Sequence, residues 1–214
     1  MNNVIFDMDG VIFDSESIWK SYFDEANKLF NINLDEEYYI SNCGRNDAEI
    51  ADYISVRYNV DGKMVRKWFK EKVISHIQNK GVKMKKGFLE LIDYLKRKNV
   101  KIGLATGSPH EVINYYFSLY NINPNDIFDA IVTGQDVKFC KPNPEIYQIA
   151  CRKLNSENCY IIEDSINGII AGRDAGCLPI MVLDMMQPNE EAKEKSIIIF
   201  DNLLQVKDYF ESIE

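Results

Sequence analysis

Short apolar runs alternate with amphipathic segments along most of the chain. The first run, Val4–Phe6, is followed by helical periodicity from about residue 15 to residue 81. From Lys83 onward, helical stretches are separated by strand-like runs at residues 100–105, 130–132, 159–162, 179–183 and 197–200. Helices that alternate with short apolar strands are typical of a parallel sheet covered on both faces. The pattern therefore predicts an α/β fold.

The helical region interrupts the predicted core. Val4–Phe6 has the composition of a buried strand, and the simplest architecture places it in the same sheet as the later strands. We predict a Rossmann-like parallel-sheet core formed by residues 1–14 and 82–214, with an inserted all-helical cap domain formed by residues 15–81.

Within the cap, the first helix is predicted from Ser15 to Phe30, with Asp14 or Ser15 as its cap. Breaks between the cap helices are expected at residues 31–33, 42–44 and 60–62, where Asn, Gly and Asp occur. The polar segment before residue 197 carries no predicted helix.

Composition narrows the class of protein. The chain has 214 residues and a net charge of −8, which disfavours general binding to nucleic acid or to an anionic membrane. No apolar segment approaches the roughly 20 residues that span a bilayer. The amino end leads almost directly into the first strand, so we expect no signal peptide. Five cysteines without a C-x-x-C spacing predict reduced thiols in a cytoplasmic protein.

Two carboxylates, Asp7 and Asp9, follow the first apolar run. Asp is unfavourable inside strands, so both are expected at the strand's carboxyl end, where open parallel sheets bind ligands. Because side chains alternate along a strand, the chain must curl after Asp7 to bring both to one site, and Gly10 permits that curl. Turn hydrogen bonding by the two aspartates is an equally good interpretation of this segment alone.

Polar side chains also follow three later strands, at Thr106–Ser108, Lys141 and Glu163-Asp164. Each has a structural alternative, namely a helix cap at the first and third places and a solvated lysine at the second. In a parallel sheet, however, all of them share one edge with Asp7 and Asp9. Such a group of acids requires a cation, and Mg²⁺ with a phosphate balances the charge. These are the parts that phosphoryl transfer needs.

Four segments, taken in order, resemble the four sequence motifs of the haloacid dehalogenase superfamily. They are Asp7-Met8-Asp9-Gly10-Val11, Thr106-Gly107-Ser108, Lys141-Pro142-Asn143-Pro144 and Glu163-Asp164-Ser165. The helical insert and the string Phe13-Asp14-Ser15-Glu16 resemble the β-phosphoglucomutase-like branch of that superfamily.

The resemblance implies roles for the matching residues. Asp7 would be the nucleophile that becomes an aspartyl-phosphate, and Asp9 the general acid and base. The Mg²⁺ cofactor would be held by Asp7, by the backbone carbonyl of Asp9 and by Asp164. Glu163 would be a metal ligand or would support the metal's water shell. The phosphoryl group and the substrate would be bound by Thr106, Lys141, Gly107, Ser108 and Gly10.

The cap bears on the choice of substrate. Arg45 matches an arginine that binds the non-transferring phosphate in β-phosphoglucomutases, and a solvated arginine is the alternative. Trp19 stands where those mutases carry a histidine and resembles sugar-phosphate phosphatases of the same branch. Asp9 disfavours dehalogenation and phosphonate hydrolysis, because those branches resemble this chain but typically lack an aspartate there.

We therefore predict a Mg²⁺-dependent phosphatase that acts on a small phosphorylated metabolite, most simply a sugar phosphate. A β-phosphoglucomutase or related phosphosugar mutase is the alternative, and a non-catalytic module that binds a phosphorylated ligand is a third hypothesis. We expect no nucleic-acid or membrane partner and a monomeric protein, with a dimer left open.

Overall fold

The core is a parallel sheet with the first strand at its centre. The computed structural model describes residues 2–42, 45 and 47–213. In this part of the chain, six strands pair in the order β3-β2-β1-β4-β5-β6, and every pairing is parallel. The strands are β1 (Asn3–Phe6), β2 (Ile102–Thr106), β3 (Ala130–Thr133), β4 (Cys159–Glu163), β5 (Leu178–Val182) and β6 (Ile198–Phe200).

Helices cover both faces of this sheet, as continuous apolar strands require. They are α6 (Phe88–Arg97), α7 (His110–Ser118), α8 (Glu145–Lys153), α9 (Ile166–Asp174), α10 (Glu190–Lys195) and α11 (Leu203–Ser212). Val4 and Phe6 pack into one buried cluster with α6, α7 and α11, whereas Ile5 points into a second cluster with α8. Because side chains alternate along β1, this strand contributes to the buried clusters on both faces of the sheet.

The cap is helical, as the periodicity predicts. It contains α1 (Glu16–Ser21), α2 (Phe23–Phe30), α3 (Glu36–Asn42), α4 (Asp47–Tyr58) and α5 (Gly62–Lys80). Its buried centre is aromatic, with edge-to-face contacts of Phe23 with Tyr38 and Phe69. The exact boundaries between cap and core, placed after residue 14 and before residue 82, stay predictions. Every strand in the described part of the chain lies outside residues 16–80.

The two chain segments that join cap and core lie side by side. Asp14 donates a backbone hydrogen bond to Lys83, and Lys85 donates one to Ile12. The Tyr120 hydroxyl accepts from the Met84 amide at 2.6 Å and donates to the Val82 carbonyl at 2.9 Å. These hydrogen bonds tie together the two chain segments through which the cap is inserted into the core.

Two local predictions differ from the structure. The helix expected from Ser15 to Phe30 is divided at Tyr22, which leaves the helical region, and the Ser21 hydroxyl bonds back to the Ile18 carbonyl at 2.7 Å. Such a bond competes with helix continuation. Ser15 occupies the N-cap position, but its hydroxyl makes no capping bond.

The polar segment before β6 also differs, because it forms the short helix α10. The Asn189 side chain accepts from the Ala192 amide at 2.8 Å and supplies its N-cap. A helix of six residues carries too little apolar periodicity to be recognised in the sequence.

Helix length and the cysteines bear on the predictions about membranes and thiols. None of the helices in the described part of the chain has the length and apolar character of a membrane span. Cys151, Cys159 and Cys177 are free thiols. Cys43, and Gly44 in the predicted break after Asn42, lie outside the described residues.

Candidate active site

The site is built at the carboxyl end of β1, where Asp7 follows the strand. The Asp7 amide donates to the Ile162 carbonyl of β4 at 2.9 Å, so the last strand contact fixes its backbone. Lys141 Nζ lies 2.5 Å from Asp7 Oδ1, 2.7 Å from Glu163 Oε1 and 3.2 Å from the Ala105 carbonyl oxygen. One buried ammonium thus joins the ends of β1, β2 and β4.

A short loop before α8 delivers Lys141. Glu145 in the first turn of α8 accepts hydrogen bonds from the amides of Lys138 and Phe139, and Asn143 Oδ1 accepts from the Glu145 amide. The loop therefore has an internal hydrogen-bond frame, and the Lys141 side chain is only 4% exposed. Burial of this kind rules out the solvated lysine that the sequence allowed.

The three charged groups set one another's protonation. Burial raises the pKa of Asp7 well above its usual value, against the opposing effect of the Lys141 ammonium. Burial opposes the charge on Lys141, but Asp7 and Glu163 outweigh it and raise the pKa of Lys141 well above its usual range. The same ammonium outweighs burial at Glu163 and lowers the pKa of that carboxyl.

Asp9 lies in a ring of hydroxyl groups. Ser15 Oγ donates to Asp9 Oδ1 at 2.6 Å, and Ser108 Oγ donates to Asp9 Oδ2 at 2.7 Å. Thr106 Oγ1 lies 3.5 Å from Asp9 Oδ2 and accepts from the Ser108 amide at 3.0 Å. Ser15 and Ser108 therefore position a carboxylate instead of capping helices.

Asp164 is the residue that best fits a metal ligand. Its Oδ2 atom is buried and has no hydrogen-bond partner in the described chain. Burial, followed by the charges of Glu163 and Asp7, raises the pKa of Asp164 well above its usual value. A carboxylate in this position gains from a hard cation, which supplies the missing partner and offsets the repulsion.

Glu163 is placed differently from Asp164. Its Oε1 atom accepts from Lys141 and from the Tyr147 hydroxyl, and its Oε2 atom accepts from the amide and hydroxyl of Ser165 at 2.9 Å each. Four donors occupy its two oxygens, which favours support of the site over direct contact with a metal.

Side chains alone do not complete a metal site. Within residues 2–42, 45 and 47–213, no three acidic, histidine or cysteine side chains form a group that could hold an ion. Mg²⁺ commonly takes only one or two carboxylates and completes its shell with water and substrate phosphate. The carboxylates of Asp7 and Asp164, which line the same cavity, fit that pattern of ligands.

A cavity of about 730 Å³ lies between the core site and the cap. Its core wall includes Asp7, Asp9, Thr106, Gly107, Ser108, Lys141, Glu163 and Asp164, and its cap wall includes Glu16, Trp19, Asn42, Arg45 and Arg66. The site residues predicted from the sequence therefore converge on one space, with one exception. Gly10 does not line the cavity; it has φ +80° and packs behind Asp164.

The two predicted cap residues lie on this wall in different ways. Trp19 packs against Phe69 and lies beneath the Arg66 guanidinium, whose carbon is 4.5 Å from the ring centroid. Arg66 also makes two hydrogen bonds to Asp47, at 3.0 and 2.8 Å. Arg45 is exposed at the cavity.

Sequence reasoning missed two site residues, Glu16 and Tyr147. Glu16 reads as a first-turn helix residue, yet it lines the cavity, and burial together with Asp9 raises its pKa to about 7. Tyr147 reads as an apolar core position of α8, yet its hydroxyl reaches Glu163. No local pattern distinguishes these two residues from an ordinary surface acid and an ordinary core aromatic.

Fold and site together define a class: a Rossmann-like α/β hydrolase with a helical cap and an aspartate at the end of its central strand. The chain belongs to the haloacid dehalogenase-like hydrolase family, whose model matches residues 4–182. The family expectation drawn from the four strand-end segments is thereby confirmed.

The matches to known relatives cover most of the chain. A phosphorylated carbohydrates phosphatase of Thermotoga maritima is 29% identical over 184 residues, covering 82% of each protein. Hexitol phosphatase B of Escherichia coli O157:H7 is 25% identical over 217 residues, covering 93% of this chain and 89% of that protein. A solved structure of a putative β-phosphoglucomutase from Bacteroides vulgatus superposes with a TM-score of 0.79 at 26% identity, covering 99% of this chain and 88% of that one.

Proposed function

We propose that this protein is a Mg²⁺-dependent phosphatase that hydrolyses a small phosphorylated carbohydrate through an aspartyl-phosphate on Asp7. One observation carries the proposal: Asp7 lies at the cavity wall within 2.5 Å of a buried lysine, with the hydroxyl-held Asp9 two residues away. A carboxylate nucleophile, a cation for the phosphoryl oxygens and a separate proton carrier are what hydrolysis through a covalent intermediate requires.

The chemistry divides between the two aspartates. An oxygen of Asp7 attacks phosphorus while the bond to the leaving alcohol breaks, and Asp9 supplies the proton that the alcohol takes. Water then attacks phosphorus, and Asp9 accepts its proton, so that inorganic phosphate leaves and Asp7 is restored. Ser15 and Ser108 hold both oxygens of Asp9 in place for these two transfers.

Charge is balanced by groups from three strand ends. Lys141 faces Asp7 and stabilises the charge of the transferring group. Mg²⁺ would be held by Asp7, Asp164 and the Asp9 carbonyl, where it supplies electrostatic stabilisation of the phosphoryl oxygens. Thr106, Gly107 and Ser108 border the same part of the cavity.

The substrate class is supported by the relatives and by the cavity. Two relatives carry names of phosphatases that act on phosphorylated carbohydrates or hexitols. The cavity is large enough for a sugar and combines the Trp19 ring with polar cap groups, which suits a ring or chain bearing hydroxyls. Arg45 is the cap cation proposed to meet an anionic end of the substrate.

A phosphosugar mutase is the second candidate, because a putative β-phosphoglucomutase shares the fold over nearly the whole chain. The two activities give different products from β-glucose 1-phosphate with Mg²⁺. Free phosphate supports the phosphatase, whereas glucose 6-phosphate without phosphate release identifies the mutase. A panel of sugar and hexitol phosphates then ranks substrates by kcat/KM.

Asp7→Asn tests the mechanism directly. We expect phosphate release to fall by at least about a thousandfold, because the amide is a poor nucleophile, while the melting temperature stays within a few degrees. The matched control is Asp208→Asn, which removes an exposed aspartate far from the cavity lining. An Asp7→Asn protein with wild-type turnover would show that Asp7 is not the nucleophile.

A further inference from the structure

Tyr147 lies under the active-site lysine without lining the cavity. It is fully buried near the start of α8, and its hydroxyl donates to Glu163 Oε1 at 2.8 Å. Lys141 Nζ lies 5.0 Å from the centroid of its ring. Burial, followed by the charge of Glu163, raises the pKa of the phenol well above its usual value, so the hydroxyl stays a donor.

All three donors of the Lys141 ammonium are occupied. They point to Asp7 Oδ1, Glu163 Oε1 and the Ala105 carbonyl, and an ammonium has three N–H groups. To hold an oxygen of a transferring phosphoryl group, Lys141 must therefore release one acceptor. Of its two carboxylate acceptors, Glu163 has a second donor on the same oxygen, the Tyr147 hydroxyl.

We propose that Tyr147 is a positioning residue that allows Lys141 to turn from Glu163 to the transferring phosphoryl group. After that turn, Glu163 Oε1 keeps the Tyr147 hydroxyl, and Oε2 keeps the two bonds from Ser165. The inference rests on the proposed phosphatase function, because it assigns Tyr147 a part in the same phosphoryl transfer.

Loss of the hydroxyl changes the balance between the two positions of Lys141. Without Tyr147, Glu163 Oε1 depends on Lys141 alone, and a buried charged oxygen left without a donor is strongly unfavourable. Glu163 then holds the ammonium back from the phosphoryl group. The ring itself, which belongs to the buried cluster between α8 and the sheet and lies beneath Lys141, need not change for this effect to occur.

Tyr147→Phe isolates the hydroxyl, because the ring is retained. In the Mg²⁺-loaded enzyme we expect kcat to fall about tenfold, which corresponds to about 1.4 kcal/mol, while KM changes by less than about twofold, as expected for an interaction made in the transition state. The matched control is Tyr160→Phe on β4, whose ring packs against Phe210. An unchanged kcat in Tyr147→Phe overturns the inference.

A double-mutant cycle with Glu163→Gln tests whether Tyr147 acts through Glu163. Because the neutral amide no longer restrains Lys141 by charge, we expect Tyr147→Phe to lower kcat by less than about twofold in that background. A loss that is equally large in both backgrounds would show a merely structural effect of the tyrosine and would overturn the inference.

A third measurement uses the unmodified chain and does not depend on the folding of a variant. In selectively labelled protein, the Tyr147 hydroxyl proton is followed by NMR while Mg²⁺ and orthovanadate are added. We expect a downfield shift as the hydroxyl becomes the sole donor to Glu163 Oε1; an unchanged resonance overturns the inference. If the wild-type chain releases no phosphate from any substrate, the proposed function fails and this inference fails with it, whereas an active wild type with an unaffected Phe variant removes the inference alone.

Discussion

Glu16 is the cap residue whose protonation depends most clearly on the fold. Burial, with the Asp9 charge as the next cause, raises its pKa from 4.5 to about 7. Between pH 4.5 and about pH 7, the Glu16 carboxyl is therefore protonated to a greater extent in the folded state than in the unfolded state. Stability is lost as pH rises through this window, because Glu16 must ionise beside Asp9.

Replacing Glu16 with Gln should remove this pH dependence. In EDTA at pH 8, we expect the Gln variant to be more stable than wild type by about 1–3 kcal/mol, and at pH 4.5 the difference should vanish. Urea unfolding at both pH values measures it, with exposed Glu90→Gln as the control. A stability difference that is equal at the two pH values would contradict the raised pKa of Glu16.

The sequence identifies a site residue when a polar side chain occurs at a place where the fold binds ligands, such as the end of a strand. Asp7, Asp9, Lys141 and Asp164 are polar residues at strand ends, where an apolar environment makes them conspicuous, and all four line the cavity. Tyr147 could not be found in this way, because an aromatic residue on a core-facing helix is ordinary. Its part in the site depends on a contact with a residue 16 positions along the chain.

At the scale of elements, the turn after β1 determines where Asp164 lies. Gly10 has φ +80°, and a Cβ atom there would lie 2.2 Å from Asp164 Oδ2. Gly176 also has φ +80°, but nothing lies within 4 Å of its added Cβ. The two glycines share the backbone requirement and differ only in what surrounds them.

This pair gives a matched prediction. Gly10→Ala and Gly176→Ala should each lose about 1 kcal/mol of stability through backbone strain. Only Gly10→Ala should also displace Asp164, and we expect its phosphatase activity to fall at least about a hundredfold, on the scale of losing a metal-ligand contact. Steady-state assays with chemical denaturation measure both effects; equal activity in the two variants would separate Gly10 from the site.

The sequence predicts the longer helices and the buried strands of the core, because each has a clear hydrophobic pattern, but not the short helix α10 or the division of the first cap helix. α10 forms around one capping asparagine, and the first cap helix is divided by the side-chain bond of Ser21. Both features depend on individual hydrogen bonds that hydrophobic periodicity does not represent.

At the scale of the whole molecule, the cavity lies between the cap and the core, and its wall contains residues of both. The linkers at residues 12–14 and 83–85 are paired by backbone hydrogen bonds, and we expect a rotation there to move the cap as a unit toward Asp7. Closure would exclude water while the covalent intermediate forms.

We therefore expect the radius of gyration to decrease when Mg²⁺ and orthovanadate are added together. Small-angle X-ray scattering measures this change, and Mg²⁺ alone is the control, because it supplies no ligand for the cap wall. A scattering profile that is identical in both conditions would count against closure.

The arrangement of cap and core follows from the sequence at this scale because the change of periodicity at Lys83 is abrupt. The relative orientation of the cap and the core does not follow from it, since it depends on long-range packing such as that of Ile18, Val73 and Ile77 of the cap within the buried cluster of the core.

The central place of β1 has a consequence for synthesis on the ribosome. Within the sheet, Val4 pairs with Ile102 of β2 on one side and with Tyr160 of β4 on the other. The nascent chain therefore releases the apolar run Val4–Phe6 long before either neighbouring strand exists, and the intervening cap helices can fold first. During that interval Val4–Phe6 is an exposed, aggregation-prone segment, and a chaperone that binds nascent chains would have its target directly before Asp7, the proposed nucleophile.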